Sequence, residues 1–171
     1  MKKIILTYGL LAGIICPIGF FLTMGGMDFD KGMIFGFASM IIAFSLIFVA
    51  ITQYKNKVNG GYITFGKAFQ IGLFITLIGS TVYVATWLFY LYNFFPDFAV
   101  KYGEHYIQGL KAQGASAAII AAKTVEMKDF VEDYKNPLVV IAYTYMEITW
   151  VGLVITLIAS LILKKKPQPL V

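Results

Sequence analysis

Four long, nearly uninterrupted runs of hydrophobic residues set the pattern of this chain. Each run is long enough to cross about 30 Å of hydrocarbon, which takes about 20 residues of helix. The apolar positions do not alternate with polar ones, as the roughly 10-residue strands of a membrane barrel would require. Helices are therefore expected, because lipid offers no hydrogen-bond partner to an open backbone. The predicted spans are Ile4–Met24, Met33–Thr52, Ala68–Tyr92 and Leu138–Leu163.

The polar segment between the third and fourth spans, Asn93–Asn136, is too long to be a simple turn. Apolar residues recur at helical spacing in Asp97–Gln113 and again in Ala115–Lys135, with Gly114 between them. The predicted fold class is therefore all-α, an integral membrane four-helix bundle with an extracytoplasmic helical hairpin between spans 3 and 4. The hairpin is either a solvated connector or a cap that binds a protein partner.

Short motifs predict where several helices begin and end. The sequence Asn59–Gly61 (Asn-Gly-Gly) is a turn signal between the second and third spans. Asn136 and Pro137 are expected to open the last span as its N-cap and its first-turn proline. Gly25–Gly32 is expected to form a tight turn between the first two spans.

The composition supports a single membrane domain over residues 1–171. Hydrophobic residues make up 59% of the chain and charged residues 13%, against about 45–50% and about 25% in soluble domains. The mean hydropathy is +0.77. A soluble domain of this size buries only about 70% of its unfolded surface, so a water-soluble enzyme is excluded. With one Cys and one His, the sequence predicts no internal disulfide, no metal site, no cofactor and no catalytic constellation.

Lysines are distributed unequally between the two sides of a four-span layout. One side carries eight lysines and no acid, whereas the other carries six lysines and eight acids. The positive-inside rule then predicts that both termini lie in the cytoplasm and that the hairpin lies on the other side of the membrane. The net charge of +5 reflects this topology and not nucleic-acid binding. The eight lysines are Lys2, Lys3, Lys55, Lys57, Lys67, Lys164, Lys165 and Lys166.

The start of the first span resembles a secretory signal peptide, because Lys2 and Lys3 precede the apolar run Ile4–Ile15. No small-residue cleavage pattern follows, and the apolar run continues past Pro17 to Met24. We therefore expect an uncleaved membrane span in this position.

Small residues recur at four-residue spacing on the spans, as is typical of close helix contacts in membranes. We expect these faces to meet within the chain rather than in a dimer. The segments Gly72–Ser80 and Gly152–Ser160 agree at seven of nine positions. A shared packing solution, or chance, is favoured over a transporter-type repeat. The predicted packing residues are Gly9, Gly13, Gly32, Gly36, Gly72, Thr76, Ser80, Gly152, Thr156 and Ser160.

Glu147 is the single formal charge within the predicted spans. A charge near the middle of a bilayer costs at least about 2.5 kcal/mol and normally faces a bundle interior or a water cavity. Counting from the span centres places Ser39 and Tyr83 at the same depth, so these three residues are the predicted intramembrane polar site. Trp150 is too deep for an interfacial belt and is expected to pack inside the bundle. The carboxyl either forms an interhelical hydrogen bond or serves as a proton or cation site.

Three stretches carry a resemblance to a known family. They are Gly61–Phe69 at the entry to the third span, Tyr134–Pro137 at the end of the outer loop, and Glu147 followed by Val151–Val154 and Ile158–Lys165. The layout resembles the bacterial domain-of-unknown-function family 4199, found mainly in Bacteroidota. The resemblance implies a small four-span inner-membrane protein of unassigned activity and brings no catalytic or ligand residue.

The sequence favours an accessory, scaffold or interaction subunit whose surroundings are the lipid bilayer. A protein partner bound through the periplasmic hairpin and a homo-oligomer both remain open at this point. The alternative function is a small transporter or channel component that uses the Glu147 carboxyl as a proton- or cation-linked group.

Overall fold

The computed structural model describes residues 1–23 and 29–167 and shows a succession of helices. Among these residues one isolated β-bridge is the only strand-like pairing. The prediction of an all-α fold is therefore confirmed. In chain order the helices are α1 (Lys2–Ile15), α2 (Ile18–Thr23), α3 (Phe29–Lys57), α4 (Phe65–Phe94), α5 (Phe98–Ala112), α6 (Ala117–Asp133) and α7 (Pro137–Leu163).

Four helical segments are long and apolar enough to cross a membrane, as the sequence predicts. They extend beyond the hydrophobic runs, because the helices continue into polar flanking residues such as Lys57 at the end of α3. The predicted turn Gly25–Gly32 and the predicted end of the first span at Met24 lie partly or wholly outside the described residues. The segments are Lys2–Phe21, Phe29–Lys57, Phe65–Phe94 and Pro137–Leu163.

Pro17 interrupts the first span between α1 and α2. Proline has no amide hydrogen, so it cannot continue the hydrogen-bond ladder of the preceding helix. The hydroxyl group of Ser39 in α3 donates to the carbonyl oxygen of Cys16 at 2.6 Å, next to the interruption. A side chain of the second span thus forms a hydrogen bond at the point where the helix of the first span is interrupted.

Contacts between residues group the chain into two compact units, Met1–Ala85 with Tyr145–Val171, and Thr86–Thr144. The first unit has one hydrophobic core to which all four spans contribute. Its fully buried side chains include Ala12 of α1, Ile47 of α3, Ile71 of α4 and Ile148 of α7.

Three glycines bring α1 and α4 into close contact within the first unit. A Cβ atom at Gly13 would lie 2.5 Å from the Cβ of Val82 and 3.1 Å from the carbonyl oxygen of Gly79. A Cβ atom at Gly9 would lie 2.8 Å from the Cβ of Ile78. The first of these distances is shorter than two carbon atoms tolerate, so α4 occupies the space that a side chain at Gly13 would need.

The contact between α4 and α7 is reciprocal. A Cβ atom at Gly72 of α4 would lie 2.6 Å from the methyl carbon of Thr156, and one at Gly152 of α7 would overlap the methyl group of Thr76. Each helix therefore offers a glycine to the threonine of the other. The likeness between the two nine-residue segments corresponds to this two-way contact, which favours the packing interpretation over a transporter-type repeat.

The predicted pair of small residues at the start of the second span is placed differently. A Cβ atom at Gly36 would have no other atom within 4 Å, and Gly32 is half-buried. The glycine at the close contact between α2 and α3 is Gly19, where a Cβ atom would overlap the carbonyl group of Phe35. The sequence analysis did not single out Gly19, although Thr23 follows it at the same four-residue spacing.

The connection between α3 and α4 contains the predicted turn and one unpredicted contact. The two glycines of Asn59–Gly61 have φ angles of 65° and 87°, a region that glycine adopts without strain. Beyond the turn, Ile63 pairs with Lys165 through two backbone hydrogen bonds of 3.0 and 2.8 Å. The loop is therefore tied to the residues that follow α7.

The second unit contains the helical hairpin. α5 and α6 are joined at Gly114, whose φ angle is 74°. The rings of Tyr102 and Phe130 lie 5.7 Å apart, as do those of Phe98 and Tyr134. The apolar stripes predicted for the two helices therefore face each other, and the helical hairpin is confirmed.

The last span begins where the sequence predicts. Pro137 is the first residue of α7. The side-chain oxygen of Asn136 accepts the backbone N–H of Leu138 at 3.0 Å. This N-cap satisfies one of the amides that the first turn of a helix leaves without a partner.

The glycine contact between α1 and α4 predicts a pair of opposite outcomes. We expect Gly13→Ala to lower the stability of the chain in detergent by about 1–3 kcal/mol, because its methyl group overlaps Val82. The control Gly36→Ala has open surroundings and should leave stability unchanged or raise it by up to about 1 kcal/mol, since alanine favours helix. Thermal unfolding of the full chain, followed by circular dichroism, measures both. Equal shifts in the two variants would contradict the close contact.

Candidate functional site

Glu147, the centre of the predicted polar site, lies on the surface of its unit. It sits in α7 about three residues, or roughly 4–5 Å along the axis, from the middle of the helix. Its side chain is exposed, and no described residue forms a hydrogen bond with its carboxyl group. Trp150, which was expected inside the bundle, is 69% exposed, so that prediction is wrong.

An exposed stripe surrounds this carboxyl. With 3.6 residues in a helical turn, Met146, Glu147, Trp150 and Val154 fall within an arc of about 100°. Met146 is 70% exposed and Val154 is 40% exposed. We call these four residues the outer face of α7. Gly152 and the threonines that contact α4 lie on roughly the opposite side of the helix.

The two residues predicted to share the depth of Glu147 have surroundings of their own. Ser39 is 8% exposed, and its hydroxyl lies 2.6 Å from the Cys16 carbonyl oxygen and 2.8 Å from that of Gly36. Tyr83 is half-buried and packs against the hydrophobic core. Ser39 therefore binds the backbone at the interruption of the first span. No hydrogen bond joins it to Glu147.

Paired hydroxyl groups join α4 to α7 on the inner side of the last span. Lipid cannot satisfy a hydroxyl, so each of these groups finds its partner on the facing helix. In transmembrane helices such a bond contributes about 0.6 kcal/mol on average. We call this row the hydroxyl ladder. Its pairs are Thr76 with Thr156 at 3.3 Å, Thr149 with Ser80 at 3.2 Å and Tyr145 with Thr81 at 2.8 Å.

The sequence analysis identified part of each side of the ladder. Thr76, Ser80 and Thr156 were predicted as packing residues, whereas Thr81, Tyr145 and Thr149 were not. A signal was present, because Tyr145, Thr149 and Thr156 are separated by four and seven residues and so share one helix face. Ser160, the last predicted packing residue, is buried and donates to the Thr156 carbonyl of its own helix at 2.7 Å.

The inner side of α7 joins the last span to α4 through hydrogen bonds. The ladder consists of neutral hydroxyl groups that serve each other as donor and acceptor. Within residues 1–23 and 29–167, no three or more His, Cys, Asp or Glu side chains come together in a group that could hold a metal ion. Glu147 carries the only carboxyl group of the predicted spans, so it can offer a strong acceptor or a proton there.

The surface of the hairpin carries exposed, charged side chains. No residue of α6 is fully buried. Exposed ion pairs lie along its helices, among them Lys123 with Glu126 at 2.6 Å and Lys135 with Glu132 at 2.6 Å. The hydrogen bond that Lys123 donates to Glu126 raises the pKa of the lysine, so the pair stays ionised at neutral pH. Solvent screens such pairs, and they stabilise the hairpin little.

Comparison with known proteins gives a family and no characterised relative. No curated protein and no solved structure matches the chain. A match to the family described as "Protein of unknown function (DUF4199)" covers residues 7–165. The matched range includes most of the first span, the other three spans, the hairpin, the hydroxyl ladder and Glu147. The chain therefore belongs to this family of unknown function.

Proposed function

We propose that this protein is an accessory, scaffold-type subunit of a membrane assembly and that it binds a membrane-spanning helix of a different protein. The binding surface in this proposal is the outer face of α7. The observation that carries the proposal is the position of Glu147 near the middle of a span, where the residue is exposed and its carboxyl group forms no hydrogen bond with a described residue.

The energetics favour a covered carboxyl group. An acid exposed to hydrocarbon near the bilayer centre costs at least about 2.5 kcal/mol, and such residues are normally paired. The hydroxyls of the ladder already bond to each other, so they do not supply that pair. A partner helix with a donor at the same depth would remove the cost, and Trp150 and Met146 would add apolar contact area beside it.

The alternative, a transporter or channel component, places different demands on the same residue. A pathway through the chain's own bundle needs a carboxyl on the inner side of α7, where the hydroxyl ladder lies instead. A proton or cation pathway that uses Glu147 would need a second polypeptide to enclose it. The alternative therefore also depends on the docking that we propose.

The proposed location is the cytoplasmic membrane of a bacterium, with both termini in the cytoplasm and the hairpin outside. The support is the lysine distribution, since no acid accompanies Lys55 and Lys57 at the end of α3 or Lys67 at the start of α4. The charged and exposed α6 is consistent with a hairpin in water.

Site-specific crosslinking tests the docking proposal. A photoreactive amino acid at Met146 should give an adduct with a second polypeptide in native membranes, because this position is 70% exposed on the outer face of α7. The matched control carries the same group at Ile42 of α3, which is 63% exposed, and should give no such adduct. Glu147→Leu should reduce the adduct about 3- to 30-fold, as the loss of a bond of about 0.6–2 kcal/mol requires. Glu147→Gln should largely retain it, since an amide also forms hydrogen bonds.

Three results would contradict the docking proposal. They are the absence of an adduct from Met146, an adduct that Glu147→Leu leaves unchanged, and an adduct of twice the mass of the chain. The last result would show that the outer face of α7 binds a second copy of the same chain. Thermal unfolding of the purified variants provides the folding control, and Glu147→Leu should leave it unchanged or raise it.

Cysteine labelling tests the proposed orientation. A cysteine at Ala118, an exposed residue of α6, should react in whole cells with a reagent that does not cross membranes. A cysteine at Val58, which is 55% exposed in the connection between α3 and α4, should react only after lysis. The native Cys16 is buried and contributes little background. The reverse pattern of labelling would contradict the orientation.

A further inference from the structure

A groove lies between α1 and α3 at the end of the first unit where α1 begins and α3 ends. Its volume is about 490 Å³, and it is shallow and largely open to its surroundings. Towards the middle of α3 it is lined by Phe48 and Val49. Towards the end of α3 the lining becomes polar, with Gln53, Asn56 and Lys57. The groove thus changes from apolar to polar over about 12 Å along the helix, the rise of eight residues.

The polar side chains of this groove are not used within the part of the chain that the structure describes. No hydrogen bond or ion pair engages the side chain of Gln53, Asn56 or Lys57 there. By contrast, the neighbouring Lys55 donates to the carbonyl oxygen of Leu163 at 3.4 Å. Two amide groups and an ammonium group therefore lie at the polar end of the groove, which we call its mouth. They can still form hydrogen bonds.

The charge around the groove has one sign. The sequence from Lys31 to Pro96 contains lysines and no acid, and the first 23 residues contain Lys2 and Lys3 and no acid. The backbone contact between Ile63 and Lys165 brings the lysines that follow α7 to the connection that leaves α3. This end of the first unit therefore attracts anions.

We propose that the groove binds one anionic phospholipid, with its phosphate at Lys57 and an acyl chain along Phe48 and Val49. A lysine ammonium pairs with phosphate as a compact point charge. Gln53 and Asn56 supply amide donors for the remaining phosphate or glycerol oxygens, and Tyr8 closes the α1 side. Basic pockets between membrane helices are known to bind such headgroups.

The arrangement of apolar and polar side chains along the groove favours a phospholipid over a soluble anion as its ligand. A free phosphate would use the polar mouth alone and leave the apolar part of the groove unfilled. A phospholipid matches both parts, because its charged headgroup lies at the interface while its chains point into the hydrocarbon. The open side lets those chains remain in the bilayer.

Native mass spectrometry of the full chain, released from vesicles, tests this assignment. From equimolar phosphatidylglycerol and phosphatidylcholine, the chain should retain one phosphatidylglycerol preferentially. Lys57→Gln should weaken that retention about 5-fold, the effect of one lysine near a lipid phosphate. Lys57→Arg should restore it. The matched control is Lys67→Gln, which removes the same charge at the start of α4, where this lysine bonds to Gln70 outside the groove.

The experiment distinguishes a phospholipid site from a site for a soluble anion. Preference for phosphatidylglycerol that Lys57→Gln weakens and Lys67→Gln preserves supports the site. Equal retention of both lipids, or equal weakening by both lysine variants, overturns it. Displacement of the lipid by millimolar inorganic phosphate would assign the mouth to a soluble anion and overturn it as well. Asn56→Leu, which keeps every charge, should also weaken retention, and it replaces Lys57→Gln as the test if that variant does not fold.

Discussion

Within a bilayer, every polar group of a protein must find its partner in protein, because the surrounding hydrocarbon supplies none. The structure obeys this constraint along the inner side of its last span, where the hydroxyls of Thr76, Ser80 and Thr81 pair with hydroxyls of α7. It also obeys it at the bend of the first span, where Ser39 bonds to a backbone carbonyl. The carboxyl group of Glu147 has no such partner among the described residues.

The close approach of two helix backbones makes the bonds of the hydroxyl ladder possible. Hydroxyl side chains are short, so they reach each other only where glycines let two backbones come near. Gly72 and Gly152 provide that approach between α4 and α7, and Gly9 and Gly13 provide it between α1 and α4. Packing and hydrogen bonding between α4 and α7 therefore depend on each other, and a side chain added at Gly72 or Gly152 would disturb both.

The sequence predicts the fold well and the site less well, for a physical reason. The length of a hydrophobic run identifies a membrane span regardless of which side of the helix faces its neighbours. The four spans and the hairpin therefore follow from the sequence. Which side of a helix meets its neighbours depends on contacts between distant parts of the chain. That is why Trp150 was expected inside and lies outside, and why Gly19, not Gly36, lies at the contact between α2 and α3. The spacing of small residues carried that information in advance on α1, α4 and α7.

The central claim is that Glu147 projects from the outer face of α7 and is covered there by another polypeptide. Its most direct test is the rate at which an apolar carbodiimide, which reacts with protonated carboxyl groups in hydrocarbon, modifies Glu147. The account predicts rapid modification in the purified chain and much slower modification in native membranes. Failure to modify Glu147 in the purified chain would show that the carboxyl is enclosed by its own bundle and would contradict the account.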